Sequence, residues 1–292
     1  MTAQDPSAAP LCLPPLPIVR RPSFRLPAGT CDSHMHVFGP LDRYRLTVPR
    51  SYTPHLVTVD DYRAVMAALG IDRAVLVQPS VYGRDNSALL DALATDSERF
   101  RGIVVVPPDI ASEALDGMNR LGVRGIRVNR RNPGGLGVSD VAILGRRLER
   151  LGWHIQLQID LRETAELHMI AAQCPVPIVI DHLGFIGSVE PAGHFCPDDF
   201  LRLFAEGQIW MKISAPYRVS RTGSPYADLQ PWIKALAACR PDRLLWATDW
   251  PHTELWAGMP DDAALVESLP MRDLGVDVPH QILVANPAAL YW

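Results

Sequence analysis

Two histidines stand two apart in Cys31-Asp32-Ser33-His34-Met35-His36. In a β-strand, alternate side chains share a face, so both imidazoles would project together. Such a pair can bind one metal ion or donate hydrogen bonds to one substrate oxygen. A third imidazole, His182, ends the aliphatic run Ile178-Val179-Ile180 within Asp181-His182-Leu183-Gly184. Asp249 stands in Trp246-Ala247-Thr248-Asp249-Trp250-Pro251-His252, where a carboxylate can bind metal or act as a general base on water. Each group alone has a structural reading: an exposed pair, a satisfied buried histidine, a helix-capping aspartate. The argument for chemistry is that all four close strand-like runs.

The elements that must position them alternate along the chain. Strands are predicted over residues 30–36, 74–78, 102–106, 125–129, 154–159, 178–182, 209–214 and 244–248. Several, such as Ala74-Val75-Leu76-Val77, are the near-continuous apolar runs of strands buried on both faces. Helices are predicted over 59–69, 86–97, 112–121, 139–151, 162–174, 198–206, 226–239 and 261–269. In the fourth, Val141, Leu144, Leu148 and Leu151 fall on one stripe. Eight strand–helix units in one chain predict an α/β fold, a single-domain (β/α)₈ TIM barrel over residues 29–292. A Pro-rich N-terminal arm precedes it over 1–28. Chemistry in such a barrel sits at the C-terminal ends of the strands, where the four residues fall. No glycine-rich phosphate loop competes: Gly134-Gly135-Leu136-Gly137 lacks the lysine and the spacing.

Composition excludes other classes. The 292 residues are 48% hydrophobic and 21% charged, with a net charge of −4 and only two lysines, Lys212 and Lys234. Arginines are scattered, so no nucleic-acid footprint is present. Five cysteines without a CxxC pair argue against a disulfide framework. No apolar run is long enough to span a bilayer, and the N-terminus lacks the order of a secretory signal. The expectation is a soluble cytoplasmic protein with no membrane partner; oligomeric state is not legible.

The segments Cys31-Asp32-Ser33-His34-Met35-His36-Val37-Phe38, Ile180-Asp181-His182-Leu183-Gly184, Thr248-Asp249-Trp250-Pro251-His252 and Ile282-Leu283-Val284-Ala285-Asn286-Pro287-Ala288-Ala289-Leu290-Tyr291 together resemble the amidohydrolase superfamily. The likeness is to its Amidohydro_2 branch, and within that to the lactonases of 2-pyrone-4,6-dicarboxylate. The resemblance implies hydrolysis of an ester bond inside a ring. His34, His36 and His182 would polarise the lactone carbonyl. Asp249 would take a proton from water and return it to the leaving oxygen. The partner implied is a small anionic lactone. Its carboxylates would be gripped by Arg127, Arg130 or Arg131, and Arg218, with Tyr52, Ser80 and His252 completing the rim. Gln158 and His252 depart from the family pattern, which has Tyr and Asn there. A two-metal centre lacks its bridging lysine near 125–129 and a histidine at the fifth strand's end. The expectation is catalysis with no cofactor; the alternative is one Zn²⁺ on His34, His36, His182 and Asp249. The competing functions are a metal-dependent decarboxylase of an aromatic or unsaturated acid and a non-catalytic binding barrel.

Overall fold

Short valine- and isoleucine-rich runs that are apolar on both faces pair side by side and close on themselves. In the computed structural model, which describes residues 9–18, 20–129, 136, 139–161, 164–186, 197–270 and 273–292, eight parallel strands lie in chain order. They are β1 (Cys31–Met35), β2 (Arg73–Val77), β3 (Phe100–Val104), β4 (Val123–Asn129), β5 (His154–Gln158), β6 (Ile178–Ile180), β7 (Ile209–Ile213) and β8 (Leu244–Trp246). Between and after them come α1 (Val59–Leu69), α2 (Ser87–Leu93), α3 (Ser112–Arg120), α4 (Ser139–Leu148), α5 (Thr164–Gln173), α6 (Pro197–Glu206), the short α7 (Pro216–Val219), α8 (Gln230–Cys239) and α9 (Asp262–Glu267). The chain ends in α10 (Val278–His280), a π-helical turn (Gln281–Ala285) and α11 (Asn286–Tyr291). This is a (β/α)₈ barrel. Among the described residues no helix is long and apolar enough to cross a membrane.

Alternation sorts each strand's side chains. Ala74 and Leu76 of β2, and Ile155 and Leu157 of β5, join the large outer core with the helices. Val75 and Val77 join the smaller inner cluster with Cys31, Ile103, Val179, Trp210, Leu245 and Tyr291. On β5 and β7 the inward positions instead carry His154, Gln156 and Lys212, all fully buried. The barrel interior thus combines an apolar cluster with buried polar groups, His154 at the start of β5 and Gln156 and Lys212 further along their strands. Helix α1 shows how local sequence sets the outer ring. Thr58 caps its N-terminus in a reciprocal box with Asp61, and Gly70 ends it at φ 82°, a conformation that glycine adopts without steric cost.

The seam that closes the barrel lies beyond the end of β8. The Asp249 N–H donates to the His34 carbonyl at 3.0 Å and the His36 N–H to the Trp250 carbonyl at 2.8 Å. Asp32 fastens the same seam, accepting from Tyr62 Oη of α1 at 2.6 Å, from the His34 N–H and Thr248 N–H at 3.0 Å each, and from the Thr248 hydroxyl. Burial raises its carboxyl to about 6 against those hydrogen bonds.

The described part of the arm lies on the barrel. Thr53 exchanges backbone hydrogen bonds with Pro10 and Cys12 (2.7 and 3.0 Å), and the Leu13 N–H donates to the Leu255 carbonyl at 2.8 Å. Further on, Arg20 pairs with Glu267 and Asp261, 2.9 Å each.

Five of the ladders are shorter than the sequence predicts, while β4 begins two residues earlier, at Val123. β1 stops at Met35, β6 at Ile180 and β8 at Trp246, and β3 is set two residues earlier. His36, His182 and Asp249 thus lie just past their strands. There the backbone leaves the ladder and can aim a side chain across the mouth.

Candidate active site

Four side chains from three strand ends meet over the barrel axis. A register irregularity between Asp32 and Met35 resets the alternation of β1. Asp32 turns outward to α1, while His34 and His36 both face in, ring centroids 4.9 Å apart. His182 lies 4.8 Å from His34, centroid to centroid. Asp249 Oδ1 stands 3.6 Å from His34 Nε2 and 3.8 Å from the Nε2 atoms of both His36 and His182. The backbone is in the left-handed region at His182 (φ 53°), Ala215 (φ 47°) and Asp249 (φ 62°). Non-glycine residues hold it at a cost of roughly 1–2 kcal/mol each. Strain gathered at the ends of β6, β7 and β8 is what aims these groups.

Partners on the far sides of the rings set their protons. His36 Nδ1 lies 2.7 Å from the Val77 carbonyl, an acceptor only, so Nδ1 carries the hydrogen and Nε2 of the neutral ring is a lone pair. The partner nearest His34 Nδ1 is the Asp181 carboxylate at 3.2 Å, which favours the same tautomer. His182 Nδ1 meets the Ser214 hydroxyl at 2.9 Å. A hydroxyl can donate or accept, so His182 alone is free to present an Nε2–H. Burial holds His36 and His182 down at about 4 and His34 well below the usual imidazole range, so all three are neutral near pH 7.

Asp249 is held from behind. Oδ2 accepts from Tyr217 Oη at 2.6 Å and Arg218 Nε at 2.9 Å. Burial opposes ionisation most strongly, and the Arg218 guanidinium leads the interactions that together keep the carboxyl well below the usual range. Oδ1 is left facing the imidazoles, a nearly fully buried ionised acceptor.

Beneath the site lies a network that the sequence reading missed. Lys212 of β7 donates to the Ser33 carbonyl at 2.8 Å and Gln156 Oε1 at 2.6 Å, and stands 3.5 Å from Asp181 Oδ1. Gln156 Nε2 donates to Asp181 Oδ2 at 3.0 Å. Burial pushes the Lys212 amine down to about 8. The available signal was a lone lysine inside Ile209-Trp210-Met211-Lys212-Ile213, on the inward parity of Trp210 and Ser214.

A cavity of about 360 Å³ opens above. His36, His182 and Asp249 line it, as do the expected rim residues Tyr52, Ser80, Arg127, Gln158 and Arg218. Phe185 and the segment Thr253–Trp256, neither singled out from sequence, complete the wall. Arg127 donates to the Gln78 carbonyl (2.9 Å) and Gln158 Oε1 (2.8 Å), while its buried Nε has no partner. Arg218 spends its bonds on Asp249 and the Thr253 carbonyl. His34 sits one layer deeper. His252 is not brought to the cavity: it is fully buried between Tyr217 Oη (3.2 Å) and Asp262 Oδ1 (3.1 Å). Arg130 and Arg131 lie outside the described residues.

The turn after β6 yields a local prediction. A Cβ on Gly184, at φ 65°, would meet Leu161 Cγ at 2.2 Å. Gly184→Ala should destabilise the fold by about 1–3 kcal/mol, read as a lower denaturant midpoint with an unchanged slope.

His34 Nε2 is buried with no hydrogen-bond partner, and its lone pair, like that of His36, points at an ionised oxygen. Lone pairs facing a carboxylate repel unless a cation lies between them. Zn–N bonds of about 2.0–2.1 Å place tetrahedral ligands roughly 3.4 Å apart, close to the spacings here. The Nδ1 contacts to a carboxylate and a carbonyl are those of metal-binding imidazoles. His34, His36 and Asp249 form one group whose ligand atoms could hold a divalent cation, and His34, Asp181 and His182 form a second.

Residues 31–292 match the Amidohydro_2 family of amidohydrolases. The chain is 33% identical over 283 residues to a 2-pyrone-4,6-dicarboxylate hydrolase of Comamonas testosteroni, covering 93% of each. It is 34% identical to a 4-sulfomuconolactone hydrolase of Rhizobium radiobacter, covering 100% of this chain and 99% of that one. An apo crystal structure from Agrobacterium tumefaciens superposes with a TM-score of 0.83 at 28% identity, covering 92% of this chain and 98% of the other.

Proposed function

Taking as premise that the chain belongs to the amidohydrolase family, we propose that it is a hydrolase that opens the ring of a small carboxylated lactone with water. The observation that carries this reading is the Asp249 carboxylate. Tyr217 and Arg218 occupy Oδ2, and Oδ1 faces three imidazoles at the floor of a cavity walled by Arg127. The relatives named for lactone hydrolysis support the same reaction class.

Arg127 holds the substrate carboxylate and orients the ring over the imidazoles. Asp249 Oδ1 takes a proton from water as the water oxygen adds to the lactone carbonyl carbon. His182, its Nδ1 accepting from Ser214, donates Nε2–H to the developing oxyanion. The ring C–O bond then breaks, and Asp249 returns its proton to the departing oxygen. A lactone panel of pyrone dicarboxylate, muconolactones and sugar lactones, followed by acid release, tests the reading. Silence across the panel with CO₂ release from an unsaturated acid would replace it with the decarboxylase alternative.

The two Nε2 lone pairs favour one bound divalent cation over imidazoles acting alone, in contrast to the cofactor-free expectation. Bound by His34, His36 and Asp249, with His182 left to donate its Nε2–H, it would supply Lewis-acid polarisation of the carbonyl. The expected result is about one equivalent of metal in protein purified without chelator, a lower melting temperature on chelation, and loss of the metal in His36→Ala. Metal-free protein, with a melting temperature indifferent to chelator and to added Zn²⁺, would overturn this.

A further inference from the structure

Glu254 lines the cavity with Tyr52, Arg127 and Arg218, yet the hydrolysis above gives it no task. Its placement is enforced. The backbone at Glu254 is left-handed at φ 57°, a conformation side chains other than glycine adopt only under constraint. Both neighbours are pinned. Arg218 Nη2 donates to the Thr253 carbonyl at 2.5 Å, from the catalytic side. From the outside, the arm's Leu13 N–H donates to the Leu255 carbonyl at 2.8 Å. The arm in turn is paired to Thr53, next to the cavity-lining Tyr52, and the His55 ring nitrogen Nε2 lies 2.9 Å from the Cys12 carbonyl. Residues 10–13 thus tie together two chain segments, around Thr53 and Leu255, that border the cavity.

A carboxylate built into the wall of a site for an anion needs a chemical reason. Among the described lining residues, Arg127 and Arg218 are matched by Asp249 and Glu254, and Arg218 is already committed to Asp249. Arg127 remains in the cavity wall to meet one substrate carboxylate. A second carboxylate turned toward Glu254 would be repelled, whereas a hydroxyl would donate to it; an ionised carboxylate has about four lone-pair sites. Gln158, Ser80 and Thr253 add neutral polar groups to the same wall.

We infer that Glu254 is a specificity-determining residue that accepts a hydrogen bond from a substrate hydroxyl. The preferred substrate is then a hydroxylated lactone bearing a single carboxylate, not a planar dicarboxylate, and the arm positions Glu254 for it. The inference rests on the lactone-hydrolase reading and narrows its substrate.

The test compares two sets of lactones, hydroxylated monocarboxylates and unsaturated dicarboxylates, with the full-length wild type, Glu254→Gln, Glu254→Ala and Leu13→Pro. Wild type should favour the hydroxylated set. Glu254→Gln should raise KM on that set on the order of tenfold with kcat little changed, and raise kcat/KM on the dicarboxylates, because the like-charge repulsion is gone. Glu254→Ala should do the same, with a larger loss on the hydroxylated set. Leu13→Pro deletes one arm N–H and should raise KM on the hydroxylated set by a smaller factor, with the melting temperature nearly unmoved. A wild type faster on dicarboxylates would overturn the inference, as would Glu254 variants that slow both sets equally. An unchanged KM in Leu13→Pro would remove the arm's part in it. Those outcomes leave lactone hydrolysis standing; no turnover on any lactone sinks both readings.

Discussion

Asp249→Asn is expected to lower kcat about 10²–10⁴-fold while leaving a folded enzyme that still binds its lactone. The amide oxygen can keep the hydrogen bonds from Tyr217 and Arg218 that now reach Oδ2 at 2.6 and 2.9 Å. The amide nitrogen can turn its hydrogens to the imidazole lone pairs, which now face a carboxylate at 3.6–3.8 Å. The variant therefore loses the proton acceptor while easing a repulsion. With both proteins held in chelator, its melting temperature should stay within a few degrees of wild type. Turnover and thermal melts on one preparation check this, and a variant with near-normal kcat would remove Asp249 from the role of base. The expected split, large in rate and small in stability, marks a residue kept for chemistry at the expense of local comfort.

Lys212→Met is expected to do the reverse, with stability as its largest effect. The amine is fully buried and holds together Ser33, Gln156 and Asp181. Methionine fills a similar volume but leaves the Asp181 carboxylate without its close cation; the Arg127 guanidinium is 3.9 Å away. Breaking a buried pair from one side costs about 3–5 kcal/mol. For a domain of this size that is a fall in melting temperature on the order of 10 °C. Activity should fall as well, because Asp181 fixes the ring of His34 through Nδ1. Adding Gln156→Leu and Asp181→Leu to Lys212→Met should recover part of the stability and none of the activity, since no unpaired buried charge then remains. A Lys212→Met protein as stable as wild type would show that the network is not holding the barrel's interior.

The sequence by itself determined the eight-unit barrel and four of its central residues. Periodicity is a local property: apolar runs such as Ile103-Val104 and the stripe through Val141, Leu144 and Leu148 register burial that the fold then satisfies. Strand-end motifs carried His34, His36, His182 and Asp249 for the same reason, because polar groups must begin where the apolar core stops. What the sequence could not carry was parity and partnership. Reset alternation in β1 sends Asp32 outward to Tyr62 while His34 and His36 face in. His252, immediately before the rim segment, turns into the core toward Asp262. Lys212 and Glu254 acquire their surroundings from β1, β5 and the arm, segments far away in the chain. Only the closed barrel decided which imidazole nitrogen bears a proton, since that follows from a carbonyl on β2 and a carboxylate after β6. Burial is written into residue type, whereas hydrogen-bond partners are fixed only when distant backbones are brought within about 3 Å.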